Sequence, residues 1–317
     1  MKTEFALGVH LRDPGQLALL DPVPEQWPPW SETGPGGDAD RNGPGRPRAE
    51  RIYIGDEFCP HRLPNPDAVK DFAGFARTSG LGLTLLTPSL TDPELDKQRP
   101  MFDSLARFAG GAEVVVNDLG VLLDVRACYP SLTLVVGRLL NRGFKDPRIP
   151  DPEPASRQEQ DLLTDCTFRQ PGPRDLLKSL GVQRLERDLL PLEGREHRGD
   201  GQGIRDPERG RAGAALFALP GLLTSIYFPF GYFTTGRVCW LSSFERAGPE
   251  KHRPAAECSR PCQRTSFATP VGPGSRFEIV QNGNTFFYRY APEHLRSLLR
   301  TAGPEGVRLV YQGFAIS

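Results

Sequence analysis

Three of the six cysteines crowd into one short stretch: Cys239, Cys258 and Cys262, the last two as Cys-x3-Cys. A Cys-x3-Cys pair on a flexible loop can aim both thiolates at one centre. The loop between them is rich in Pro and charge and offers a buried thiol little core to enter. Three thiolates need a fourth ligand for a closed Zn²⁺ or 4Fe–4S site. Cys59 is the best candidate, four residues beyond a strand-like run that ends at Gly55. Cys239 follows another strand-like stretch, so in a parallel barrel the two, 180 residues apart, would meet on one rim. Spacing does not separate zinc from iron–sulfur. Arg62, Arg237, Arg260 and Arg264 each lie within three residues of a candidate ligand. Such cations offset the negative charge of a thiolate-bound cluster, which leans the reading toward iron–sulfur. Cys128 and Cys166 stand apart and read as small buried hydrophobes.

Other polar residues fall near expected strand ends. Asn117 and Asp118 close a Val-rich run, and Arg138 and Asn141 follow the next. With Arg237 they are the candidate substrate contacts, since an arginine there could hold a dicarboxylate through paired hydrogen bonds. Asp118 equally fits the N-cap of a helix beginning at Leu119. His10 and His61 read as structural histidines. Tyr227, Tyr232 and the Phe-rich stretch 228–233 suit either an apolar pocket or core packing. Gly-x-Ser-x-Gly and His-Glu-x-x-His are both absent.

The elements that must position these residues alternate between strand and helix. Strand-like runs cover Phe5–Val9, Arg51–Gly55, Leu81–Leu86, Glu113–Asn117, Leu132–Val136, Val182–Glu186, Leu222–Phe228 and Val307–Tyr311. Helical faces recur from Asp67 (Ala68, Val69, Phe72, Ala73, Ala76), at Met101, Leu105 and Phe108, and over Leu119–Ala127, Arg174–Leu180 and Pro292–Arg300. Phe277–Val280 and Phe286–Tyr290 flank an Asn-Gly turn and read as a hairpin. This alternation predicts an α/β fold, a TIM-barrel-like (β/α)8 domain covering 1–317. Long Pro/Gly-rich insertions are expected near 21–50, 142–173, 191–212 and 246–275. The first holds twelve Pro or Gly among thirty residues and cannot be regular structure.

Five stretches then carry a family resemblance: Ile52-Tyr-Ile-Gly-Asp-Glu-Phe-Cys-Pro-His-Arg62, Val116-Asn-Asp-Leu-Gly-Val121, Thr235-Gly-Arg-Val-Cys239, Glu257-Cys-Ser-Arg-Pro-Cys262 and Gln281-Asn-Gly-Asn284. In these the chain resembles the collagenase-like peptidase family. The likeness is strongest to the branch that works, beside a homologous subunit, in oxygen-independent ubiquinone biosynthesis. The resemblance implies a TIM-barrel-like fold and a 4Fe–4S cluster on Cys59, Cys239, Cys258 and Cys262. It also implies hydroxylation without dioxygen, with prephenate as oxygen donor, acting on a small quinone precursor. Its other implications are an RNA-base hydroxylase, a non-catalytic partner subunit with a structural metal and, most weakly, a peptidase.

Composition narrows these classes. Among 317 residues, Lys+Arg and Asp+Glu number 39 each, so the chain lacks the broad basic footprint of an RNA-binding protein. No run approaches 18 apolar residues and the first residues do not resemble a signal peptide, so a cytoplasmic protein without a membrane span is expected. In that reducing compartment clustered cysteines speak for metal rather than for disulfides.

Overall fold

The computed structural model describes residues 6–20, 49–143, 145, 165–189, 221–270, 278–290 and 306–316. Eight parallel strands close into a barrel. They are β1 (Ala6–His10), β2 (Ala49–Gly55), β3 (Gly82–Leu86), β4 (Glu113–Val116), β5 (Thr133–Val136), β6 (Arg184–Asp188), β7 (Leu223–Phe228) and β12 (Val307–Tyr311). β12 closes the ring between β1 and β7. This is the expected (β/α)8-type architecture. The helices α1 (Pro66–Thr78), α2 (Asp92–Phe108), α3 (Leu119–Cys128) and α4 (Pro171–Ser179) connect successive strands. Among the described residues no helix is long and apolar enough to cross a membrane.

Local chemistry sets the element ends. Asn65 caps α1 by accepting from Ala68 N, with Pro66 at the first helical position. The face of Val69, Phe72, Ala73 and Ala76 is buried, as its spacing requires. α2 starts on a capping box in which Glu94 accepts from Thr91 N. The predicted hairpin is β10 (Glu278–Asn282) and β11 (Thr285–Arg289), turning at Gly283 with φ +65°.

Inside the barrel, Tyr53, Leu86, Val115, Val135, Tyr227 and Val310 form a buried cluster with one side chain from each of six strands. Below it, toward the strand N-termini, Arg308 donates twice to Glu113 at 2.7 and 3.0 Å and once to the Tyr53 hydroxyl. The lumen is therefore partly ionic. That explains the displaced sixth strand, expected at Val182–Glu186 and found at Arg184–Asp188. Its lumen-facing residues are Arg184, Glu186 and Asp188, so it lacks the apolar run of its neighbours.

A second sheet lies outside the barrel, an antiparallel one ordered β8-β11-β10-β9, with β8 at Phe230–Thr235 and β9 at Phe267–Pro270. It corrects the sequence reading of Cys239. The strand before that cysteine is β8, not a barrel strand, because Pro229 separates it from β7 and the chain continues into a different sheet. The buried side of this sheet (Phe230, Tyr232, Val280, Phe287) packs with Phe58 and Leu139 over the strand C-termini. Of the insertion at 246–275, residues 246–270 are described and contain two short 3-10 segments, Gly248–His252 and Pro261–Gln263, and β9, while 271–275 lie outside the described residues. The insertion at 191–212, nearly all of that at 21–50, most of that at 142–173, and the helix expected at Pro292–Arg300 lie outside the described residues.

Candidate functional site

Three chain segments bring cysteines to the C-terminal end of the barrel. At the end of β2, Gly55 takes φ +89°, and a Cβ there would stand 2.4 Å from the Leu86 carbonyl oxygen, so only glycine fits. The Asp56 carboxylate then accepts from Phe58 N (2.7 Å) and Cys59 N (2.8 Å), folding the chain so that Cys59 leads into the turn Pro60–Arg62. Cys239 immediately precedes α5 (Trp240–Phe244). Cys258 and Cys262 flank Arg260, whose left-handed φ of 56° reverses the chain between them.

The hairpin turn ties these segments together. The Asn284 amide donates to Phe58 O and Gly236 O, both at 2.7 Å, joining the Cys59 and Cys239 segments. Asn282 accepts from Arg62 at 2.6 Å and donates to Ile316 O at 3.0 Å, in α6 (Gly313–Ile316). A Cβ on Gly283 would lie 3.7 Å from the Cys262 sulfur, so the turn abuts that thiol.

The result is a cavity of about 680 Å³ whose wall includes all four predicted cysteines. Cys59 and Cys262 are buried, Cys239 and Cys258 half-buried. Arg62, also on the wall, pairs with Asp56 at 3.1 Å. Burial works against its charge, but Asp56 and the thiols of Cys262, Cys59 and Cys239 hold its pKa above the ordinary value. Burial, aided by Asp56, pushes the Cys59 thiol up to about 12, and burial also raises that of Cys262. Among the described residues no three His, Cys, Asp or Glu side chains are gathered closely enough to hold a metal ion. The thiols thus share one cavity without forming a closed ligand set. Cys128 and Cys166 are not on its wall. Cys166 is buried as expected, whereas Cys128, the last residue of α3, is exposed rather than buried.

No known family's sequence profile matches the chain, and no curated protein matches it. Similar solved structures include a GH18 chitinase from Cycas revoluta in complex with (GlcNAc)3 and a Family GH18 chitinase from Cycas revoluta in a complex with allosamidin. In both the identity is 11%, the TM-score 0.35, and the match covers 98% of this chain and 96% of the other. At that TM-score the likeness carries no argument.

Below the cavity lies a buried ionic floor. Arg138, 2% exposed, pairs with Glu57 at 2.6 Å and Asp188 at 2.8 Å, and stacks 3.8 Å from the Tyr227 ring centroid. Burial opposes the Arg138 charge, and the two carboxylates outweigh it. Lys145 reaches Asp188 at 2.5 Å and lies over the Tyr232 ring; burial, against the pull of Asp188, lowers its pKa to about 8. Arg138 is thus already held by two carboxylates and does not line the cavity.

The other predicted contacts divide. Asn117 lines the cavity but is braced, donating to Thr87 O at 2.8 Å and accepting from Leu139 N at 2.9 Å. Asp118 caps α3 through Val121 N and also accepts from Leu90 N, away from the wall. Asn141 is buried off the wall, and its Oδ1 has no partner among the described residues. Arg237 is on the wall and pairs with Glu94 at 2.8 Å. His10 is buried with Nε2 on Gly55 O, and burial lowers its pKa to about 4. His61 binds Ala255 O at 2.9 Å. Sequence reading assigned no role to Asp56, Glu57, Lys145, Asp188 or Asn284. Asp56, Glu57 and Asn284 sit inside the quoted motifs and so carried a signal; Asp188 lies two residues beyond the strand end expected at Glu186, and neither it nor Lys145 carried one.

Proposed function

We propose that the chain is a UbiV-like iron–sulfur protein of the collagenase-like peptidase family, part of an oxygen-independent, prephenate-dependent hydroxylation system in quinone biosynthesis. The observation that supports this reading is the convergence of four cysteines, from three distant segments, on the wall of one cavity beside Arg62, whose side chain is 8% exposed. The donor set fits the group in kind. Cys59, Cys239, Cys258 and Cys262 would hold a 4Fe–4S cluster, and zinc is the alternative occupant. A 4Fe–4S cluster, when bound, supplies one-electron transfer.

The chain's own residues have separable tasks. Arg62 offsets thiolate charge, and its partners Asp56 and Asn282 fix where that positive charge sits. The aromatic side of the wall, Phe58, Tyr232 and Phe233, gives a planar ring an apolar surface. Lys145, Arg142 and Arg237 give an anionic donor a cationic one. The floor of Glu57, Arg138 and Asp188 supports the Cys59 segment from beneath. In this reading the protein is cytoplasmic and works as a heterodimer with a UbiU-like homologous subunit.

The test supplies anaerobic protein, with and without that partner, with a quinone-ring precursor and prephenate carrying ¹⁸O in its hydroxyl. Transfer of ¹⁸O to the ring by the cluster-loaded pair is expected. No transfer by a fully loaded pair would overturn the reading.

A further inference from the structure

The surface beside the cavity carries aromatic rings that stand exposed among the described residues. Trp240 is 62% exposed, Phe244 72% and Phe267 50%. They form one face. Phe267 and Phe286 are both cross-strand partners of Gln281, so they share a side of the antiparallel sheet. Trp240 packs edge-on against Phe286, with ring centroids 6.4 Å apart. Phe244 follows Trp240 by four residues and projects from the same side of α5. The opposite side of α5 turns inward: Leu241 and Ser242 are buried, and Ser242 lines the cavity.

Charge says what the face meets. Between Arg237 and Arg264 the chain has six Lys or Arg and three Glu, although the whole chain balances at 39 and 39. Lys251, Arg253, Arg260 and Arg264 are exposed, on the loops that follow α5. That surplus of three positive charges beside the rings complements an anionic surface. Exposed Trp and Phe bordered by cations match the layered chemistry of a bilayer surface, with rings at the headgroup boundary and cations on anionic phosphates.

We propose that this face docks peripherally on an anionic phospholipid surface, with Trp240, Phe244 and Phe267 as the apolar anchors and the 237–264 cations as the electrostatic contact. Docking in that orientation turns the α5 wall of the cavity toward the lipid. The cavity then lies directly behind α5 as seen from the lipid, close to where a lipophilic ring substrate would partition; this consequence alone rests on the proposed function.

The test is flotation of the full chain with vesicles of phosphatidylcholine alone or mixed with phosphatidylglycerol, at low and high salt, with iron and zinc content measured on the same samples. Binding to the anionic vesicles at least tenfold above the neutral ones is expected, and it is lost at high salt. The double variant W240A/F244A is expected to lose at least tenfold in binding while keeping its circular dichroism spectrum and melting temperature. In a Trp27→Phe, Trp30→Phe background, Trp240 emission shifts to the blue on anionic vesicles. Absence of binding to both vesicle types, or binding unchanged in W240A/F244A, would overturn the proposal. So would a double variant that binds vesicles normally but loses a protein partner in size-exclusion chromatography. Failure of lipid binding in protein with its full metal content leaves the metal reading standing.

Discussion

Arg138 and Glu57 form a buried ion pair at 2.6 Å that fastens the exit of β5 to the segment carrying Cys59. The Arg138 backbone N–H donates to the same carboxylate at 3.1 Å, so Glu57 is held through both main chain and side chain. Removing one member of such a pair leaves its partners buried and uncompensated.

Arg138→Met is therefore expected to strip Glu57 and Asp188 of their shared cation. The loss should be about 3–5 kcal/mol in a urea denaturation series. A loss below about 1 kcal/mol would mean that the floor is not held by this arginine.

Glu186 gives a prediction in pH. It is fully buried in the lumen and accepts from the Tyr53 hydroxyl; burial raises its pKa from 4.5 to about 7, against the opposing charge of Arg308. Between those values the folded protein keeps a proton that the unfolded chain releases. Its stabilising contribution is thus complete below pH 4.5 and falls as pH rises toward 7. Glu186→Gln removes that slope, so stability relative to wild type should climb by roughly 3 kcal/mol over the window. His10, with its pKa lowered to about 4, works with the opposite sign, losing its contribution as pH falls from 6.5. It is common to both proteins and cancels in the comparison. Parallel stability curves for the two proteins would refute the assignment.

Asn284→Ala removes the amide that joins Phe58 O to Gly236 O. Two carbonyls lose their donor, at a cost of about 1–3 kcal/mol. Because those carbonyls flank Cys59 and Cys239, metal retention after gel filtration should fall along with thermal stability. Unchanged retention would show that the hairpin turn does not position the thiols.

The barrel was legible because seven of its eight strands carry short β-branched or apolar runs between turn signals, as in Ile52–Ile54 and Val114–Val116. β6 was blurred because Arg184, Glu186 and Asp188 face an ionic lumen, which breaks the apolar pattern that periodicity relies on. The antiparallel sheet was half legible: the Asn-Gly turn marked the hairpin, but nothing local said that its strands leave the barrel at Pro229. The cysteine cavity was readable from residue type and spacing, although Cys239 arrives from the accessory sheet. Arg138 looked like a free ligand-binding arginine because sequence cannot see Glu57 and Asp188, 81 and 50 residues away, converging on it.

Single Cys→Ser variants sort the six thiols. Replacing Cys59, Cys239, Cys258 or Cys262 is expected to reduce bound metal at least severalfold, and replacing the exposed Cys128 or the buried Cys166 to leave it unchanged. Elemental analysis of the six purified variants checks this. Metal lost from the Cys128 or Cys166 variant would break the assignment.

The most direct measurement is purification of the wild-type chain under strict anaerobiosis, with iron, acid-labile sulfide and zinc determined beside the visible absorption spectrum. The account predicts about four iron and four sulfide per chain, with a broad thiolate-to-iron band that bleaches on reduction. Stoichiometric zinc without iron, or protein free of both, would contradict it.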